Sequence, residues 1–194
     1  MNDDEIQKLL VEYSRRAYDR GLVGGAGGNF SARLMDGSRM LITASGLSLK
    51  DTSTANLVLV DLETFQYRAA IGLKPSMEFL IHADIYRLRA DAGAVAHLHP
   101  PYSTAFAVKN RPIPQATDSA LKHPAAALVP FAPSGTAELR GYAAEALWAA
   151  PGCNVLLMEK HGITAIGPDI AAAYDMADLT EETARIAFLA EQLP

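Results

Sequence analysis

Asn29-Phe30-Ser31-Ala32-Arg33-Leu34-Met35-Asp36-Gly37-Ser38-Arg39-Met40-Leu41-Ile42-Thr43 is the stretch on which the fold turns. Two short apolar segments, Asn29–Met35 and Arg39–Thr43, flank Asp36-Gly37, a pair suited to the left-handed backbone of a tight hairpin. Adjacent strands joined this way run antiparallel, so the sheet is not of the strictly alternating, doubly wound kind. Upstream, Ile6, Leu9, Leu10, Tyr13 and Ala17 recur at helical spacing, which predicts an amphipathic helix over 3–20 stopped by Gly21 and the 24–28 glycine run. Downstream, strands are expected at Leu57–Val60 and Phe65–Arg68, then a helix from Pro75-Ser76 through Ala90 with Ser76 as N-cap. A buried strand over Ala94–Leu98 and a helix over Ser103–Lys109 follow. Residues 110–134 carry five prolines and read as loop with one short strand near Ala127–Phe131. Gly135–Ala150 reads as helix, Asn154–Met158 and Ile163–Ile166 as strands around a His161-Gly162 turn, and Pro168–Gln192 as a long helix with Pro168 in its first turn. Helices flanking a sheet with hairpin connections give a mixed, layered α/β fold.

The chain has 194 residues, enough for one well-buried domain (1–194) with a single core. A formal charge of −5 disfavours a nucleic-acid or anionic-membrane partner, both of which select basic surfaces, and points to a small molecule. One cysteine, Cys153, excludes disulfides and cysteine-rich zinc sites within the chain; at the head of an apolar strand it reads as an inert core thiol. The charged first 20 residues do not resemble an export signal, and no apolar run approaches a membrane span, so a cytoplasmic protein is expected.

The chemistry concentrates in a few places. In His97-Leu98-His99, strand alternation puts both imidazoles on one side, within reach of one metal ion. A catalytic divalent ion usually takes a third protein ligand and keeps one position open. His82, His123 and His161 are the candidates, and His161, in a turn before glycine, is best placed. In Lys74-Pro75-Ser76-Met77-Glu78, a helix beginning at Ser76 would offer free backbone N–H groups to a phosphate, with Glu78 beside it as a base. Serine and glutamate also suit any helix start, and His82, four residues on, shares a face with Glu78. The glycine run follows a helix and precedes a strand, the reverse of a dinucleotide fingerprint, so a Rossmann site is rejected. Thr43-Ala44-Ser45-Gly46 is a second hydroxyl-and-glycine turn able to donate to an anion.

Taken in order, Gly28-Asn29-Phe30-Ser31-Ala32-Arg33, Thr43-Ala44-Ser45-Gly46, Lys74-Pro75-Ser76-Met77-Glu78 with His82, His97-Leu98-His99 and Lys160-His161-Gly162 resemble the class II aldolase/adducin family, from about residue 5 to the last helix. The spellings are similar to its fuculose-phosphate aldolase and methylthioribulose-phosphate dehydratase branches. The resemblance implies a homotetramer with a three-layer α/β/α fold around a mixed, largely antiparallel sheet. It implies Zn²⁺, or another ion such as Mn²⁺ or Co²⁺, on His97, His99 and His161, and Glu78 as the acid/base. Gly28, Asn29, Ser45, Gly46 and Ser76 would hold the phosphate of a small sugar or sugar acid. The implied reaction is carbon–carbon cleavage or formation through a metal-stabilised enediolate of dihydroxyacetone phosphate. Dehydratases, epimerases and decarboxylases share the scaffold, as do non-catalytic adducin-type modules that lack the histidines. Met77 stands where the aldolases usually have a second phosphate-binding serine. Asp118 lies where they carry a catalytic tyrosine and the epimerases an aspartate, which makes it a second catalytic candidate.

Overall fold

The computed structural model describes residues 2–194. Its centre is one eight-stranded sheet built from β1 (Asn29–Arg33), β2 (Arg39–Thr43), β3 (Leu57–Asp61), β4 (Tyr67–Arg68), β5 (Ala94–Leu98), β6 (Ala127–Val129), β7 (Val155–Met158) and β8 (Gly162–Gly167). The spatial order is β4-β3-β2-β1-β5-β8-β7-β6. Every pair is antiparallel except β6 with β7. That exception has a topological cause: the chain passes from β6 to β7 through a helix, and parallel neighbours need such a crossover.

Helices cover both faces. α1 (Asp3–Asp19), α3 (Pro101–Val108) and α6 (Ile170–Ala190) lie on one side, α2 (Phe79–Leu88) and α5 (Ala137–Ala149) on the other. A four-residue α4 (Asp118–Leu121) packs near α6. The sheet divides the interior into two apolar clusters instead of a single core. Phe30, Leu41, Ala96, Leu157 and Ile163 face α1, α3 and α6, while Met40, Ile42, Val58, Val95 and Leu156 face α2 and α5. Alternating residues of one strand serve opposite clusters, which is why the central strands β5, β7 and β8 are buried throughout. On α6 the buried Ala173, Ala177, Ala184 and Ala187 form a stripe of small side chains against the sheet and its neighbours. No helix of the described residues is long and apolar enough to cross a membrane.

Several expected boundaries move. The α1 capping box is complete: Asn2 accepts from the Glu5 N–H and the Glu5 carboxylate accepts from the Asn2 N–H. The hairpin after β1 is looser than a two-residue turn, because Leu34 still donates to the Arg39 carbonyl and residues 35–38 form the loop. Asp36 closes it by accepting from the Ser38 and Arg39 N–H groups. Pro168 stands outside α6, whose N-cap is Asp169, accepting from the Ala172 N–H. The largest difference is at α2. Pro75 bridges to Ala44, the Ser45 N–H donates to the Lys74 carbonyl and the Ser76 N–H to the Thr43 carbonyl, so residues 74–76 are extended. The helix begins only at Phe79, and Ser76 is not its N-cap.

Candidate active site

β1, β5 and β8 lie side by side, and their register places Asn29 opposite His97 and His97 opposite Thr164. Alternation turns His97 toward the α2 layer, while Leu98 enters the other cluster. His99 lies one residue past β5, before Pro100 and Pro101, which have no N–H to continue a ladder. His161 closes the turn between β7 and β8, its N–H donating to the Met158 carbonyl. Lys160, just before it, has φ 57°. The next residue has to be glycine: a Cβ on Gly162 would sit 2.4 Å from the Leu98 carbonyl oxygen and 2.7 Å from His99 Cδ2.

Three imidazoles therefore converge from separate elements, with one ring nitrogen from each within 4.8 Å of the others. His97 Nε2 is 3.0 Å from His99 Nε2. Glu78, at the N-cap position of α2 and not in its first turn, spans the cluster. Its Oε2 is 2.9 Å from His97 Nε2, its Oε1 is 3.2 Å from His161 Nε2, and Asn29 Nδ2 donates to Oε2 at 3.3 Å. Burial pushes the Glu78 carboxyl up, but His97 and His161, with the Asn29 amide, pull it well below the usual carboxylate range. Burial also lowers His99 and His161 to about 4 each; His97 adds to both shifts, His161 adds to that of His99, and Glu78 opposes them. At neutral pH both rings are uncharged, the form that ligates metal.

Three imidazoles beside a carboxylate, with no thiolate, suit a borderline transition ion better than magnesium or calcium, which prefer all-oxygen shells. Two ring nitrogens facing each other at 3.0 Å need either a proton or a cation between them, and tetrahedral ligands about 2.0–2.1 Å from zinc stand at similar separations. The triad fits a divalent metal.

Next to it is a cavity of about 300 Å³. Gly28, Asn29, Ser45, Gly46, Ser76 and Glu78 all line it, with His99 and His161. The extended 74–76 segment is what brings Ser76 beside the 45–46 turn, and the Ser76 hydroxyl accepts from the Glu78 N–H. Gly28 has φ +70°, and a Cβ there would lie 3.0 Å from the His97 carbonyl. None of the lining residues is Lys or Arg. Met77 is at the rim, 67% exposed.

The remaining candidates lie elsewhere. Asp118 is on α4, with its side chain 86% exposed and paired to Lys122 at 2.6 Å, and does not line the cavity. His123 lines a different, small cavity between the 113–126 segment and α6. His82 is fully buried. Its Nδ1 meets Ser31 Oγ at 2.7 Å, which in turn meets the Tyr86 hydroxyl, and burial lowers the ring to about 3. Cys153 is a buried free thiol bonded to the Val155 carbonyl. Gly27, from the glycine run, also lines the cavity; Ser134, which lines it too, and Thr164, on His97 Nδ1 at 3.0 Å, escaped sequence reasoning. Only Thr164 left a signal there, as a hydroxyl on the inward face of an otherwise apolar strand.

Residues 8–188 match the class II aldolase and adducin N-terminal domain family. The chain belongs to that family and is a lyase acting on carbon–carbon bonds; the family is metal-dependent, and the histidine triad could hold the ion. It is 36% identical over 182 residues to a Rhodospirillum rubrum 5-methylthioribulose-1-phosphate/5-deoxyribulose-1-phosphate aldolase, covering 90% of this chain and 76% of that protein. A Haemophilus influenzae 3-oxo-tetronate 4-phosphate decarboxylase is 30% identical over 194 residues, covering 97% of this chain and 89% of that one. Among solved structures, an L-fuculose 1-phosphate aldolase superposes with a TM-score of 0.89 at 26% identity, over 100% of this chain and 92% of that one.

Proposed function

We propose that the chain is a Zn²⁺-dependent aldolase that cleaves or forms a carbon–carbon bond in a small ketose 1-phosphate. The observation that carries this is the Glu78 carboxylate, with one oxygen on His97 and the other on His161, at the edge of a cavity walled by hydroxyls and amides. A divalent ion on His97, His99 and His161 supplies Lewis acidity, stabilising negative charge on oxygen beside the reacting carbon. Ser45 and Ser76, with the backbone amides of Gly28 and Gly46, bind the phosphate without a cationic side chain. Asn29 holds Glu78 by its Oε2. Glu78, ionised in this setting, takes up or returns the proton at the carbon next to the carbonyl. The family resemblance carries with it a homotetramer, for which sedimentation of the active enzyme is the check.

The test is to incubate metal-loaded protein with fuculose 1-phosphate, 5-deoxyribulose 1-phosphate and 3-oxo-tetronate 4-phosphates, identifying products by mass. Release of dihydroxyacetone phosphate supports the aldolase. Loss of carbon dioxide would favour decarboxylation, the second reading, which the 30% identity to the Haemophilus enzyme supports. Loss of water would make the enzyme a dehydratase, and an isomer of unchanged mass an epimerase; inertness toward all of them would sink the catalytic reading.

A further inference from the structure

Thr164 sits in the middle of β8, 1% exposed, with its hydroxyl between two partners. His97 Nδ1 is 3.0 Å from Oγ1 on one side, and Met158 Sδ is 3.2 Å from it on the other. β7 and β8 are neighbours whose register places Met158 opposite Gly162, two residues before Thr164. A hydroxyl has one proton to give and lone pairs to receive with, whereas a thioether can only receive. With the Thr164 proton directed at the sulfur, the oxygen is left to accept, and what it accepts is a proton carried by His97 Nδ1. The tautomer with its proton on Nδ1 has a bare Nε2, the atom that faces His99 and Glu78. Glu78 Oε2, 2.9 Å from Nε2, pulls the other way, because a carboxylate favours a proton on that nitrogen.

We propose that Thr164 and Met158 act together as a positioning pair, holding the His97 proton on Nδ1 so that Nε2 is free to ligate metal. This rests on the metal reading of the triad. A β-branched apolar residue would fill the Thr164 site without a buried polar group, and a leucine would fill that of Met158; the hydroxyl and sulfur are thus explained by the hydrogen bonds they make and not by packing. The outer partner of a ligating histidine is usually a carboxylate, a backbone carbonyl or water. Here a side-chain hydroxyl fills that role, and its direction is set one residue further out.

The experiment measures Zn²⁺ affinity by competition with a chromophoric chelator for the full chain and for Thr164→Val, Thr164→Ser and Met158→Leu, with thermal unfolding of the metal-free proteins confirming that each folds. In ¹⁵N-histidine-labelled, metal-free protein above the ordinary histidine range, ring nitrogen shifts report the His97 tautomer. Thr164→Val should bind Zn²⁺ about 10- to 100-fold more weakly, the usual effect of losing an outer partner, and Thr164→Ser should restore most of the affinity. Met158→Leu, which frees the hydroxyl to donate to Nδ1, should weaken binding and raise the fraction carrying the proton on Nε2. The proposal is overturned if Thr164→Val binds like the wild type, if Thr164→Ser is no better than Thr164→Val, or if Met158→Leu leaves either affinity or tautomer unchanged. A wild type that binds no Zn²⁺ would remove the metal reading itself, and the pair's role with it.

Discussion

Glu78 feels opposing pressures: a buried site that raises its proton affinity, and the Asn29 N–H together with the imidazoles in their protonated forms, which lower it. The second group wins, so the carboxylate is ionised before substrate arrives, and a bound phosphate anion would raise its proton affinity toward the range where a proton can be passed back. Glu78→Gln keeps the shape and can still accept from Asn29, but cannot take up a proton. Turnover on the productive ketose phosphate should fall by about 10²- to 10⁴-fold, with metal content by elemental analysis unchanged. His97 and His99 were legible from their spacing, since alternation is a property of any strand. Asp118 was singled out by its position in the family's order, and in this chain it lies on an exposed helix. Thr164 was not legible as a partner of His97, because 67 residues separate them and only the β5–β8 register brings them together.

Elements set the site by where they begin and end. α2 starts late because 74–76 are held extended against 43–45, and this puts Ser76, Ser45 and Gly46 around one cavity. The element after the His97–His99 strand is held from a distance. The Glu181 carboxylate of α6, 6% exposed, accepts from the Tyr102 N–H at 2.9 Å and from the Ser103 N–H and hydroxyl at 2.8 and 2.9 Å, capping the α3 N-terminus. Hydrogen bonds to a charged group contribute about 1.5–3 kcal/mol each at most and are not additive. Glu181→Ala should therefore destabilise the protein by about 2–4 kcal/mol in urea unfolding, with Glu181→Gln losing less. Gly162→Ala, which forces a Cβ onto the Leu98 carbonyl, should lower both thermal stability and Zn²⁺ affinity, because β8 cannot move away without carrying His161 with it.

At the scale of the whole molecule, the buried histidines couple stability to pH. His82 is held at about 3, and His99 and His161 at about 4, all below the unfolded value near 6.5. In the window between, the unfolded chain binds more protons than the folded one, so the stability contributed by keeping these rings neutral is complete above about 6.5 and is lost as pH falls toward 4 and then 3. Each histidine titrating this way contributes a slope of up to about 1.4 kcal/mol per pH unit. Urea midpoints measured from pH 7 to pH 4 should drop steadily, and His82→Gln should show a shallower drop. A flat profile in the wild type would contradict the burial of these rings. A bound divalent ion would work in the same direction: stripping the metal with a chelator should lower the thermal midpoint, the stabilisation lost being about 4 kcal/mol where free metal had stood at a thousandfold excess over Kd.

Local chemistry in the sequence determined the longer helices and strands, the antiparallel β1–β2 hairpin and the shared face of His97 and His99, because turn preference and strand alternation act over a few residues; the glycine after His161 is instead required by the distant Leu98 carbonyl and His99 ring. The ordered set of motifs extended this to the family, and to an expectation of which residues hold metal and phosphate. What the tertiary structure alone decided was the division of the interior into two clusters, the delayed start of α2, the meeting of Glu78 with His97 and His161, and the Thr164–Met158 contact behind His97. Each of these depends on strand order and register between segments tens of residues apart. No local preference encodes that pairing; it is selected only when the whole sheet buries both of its faces at once.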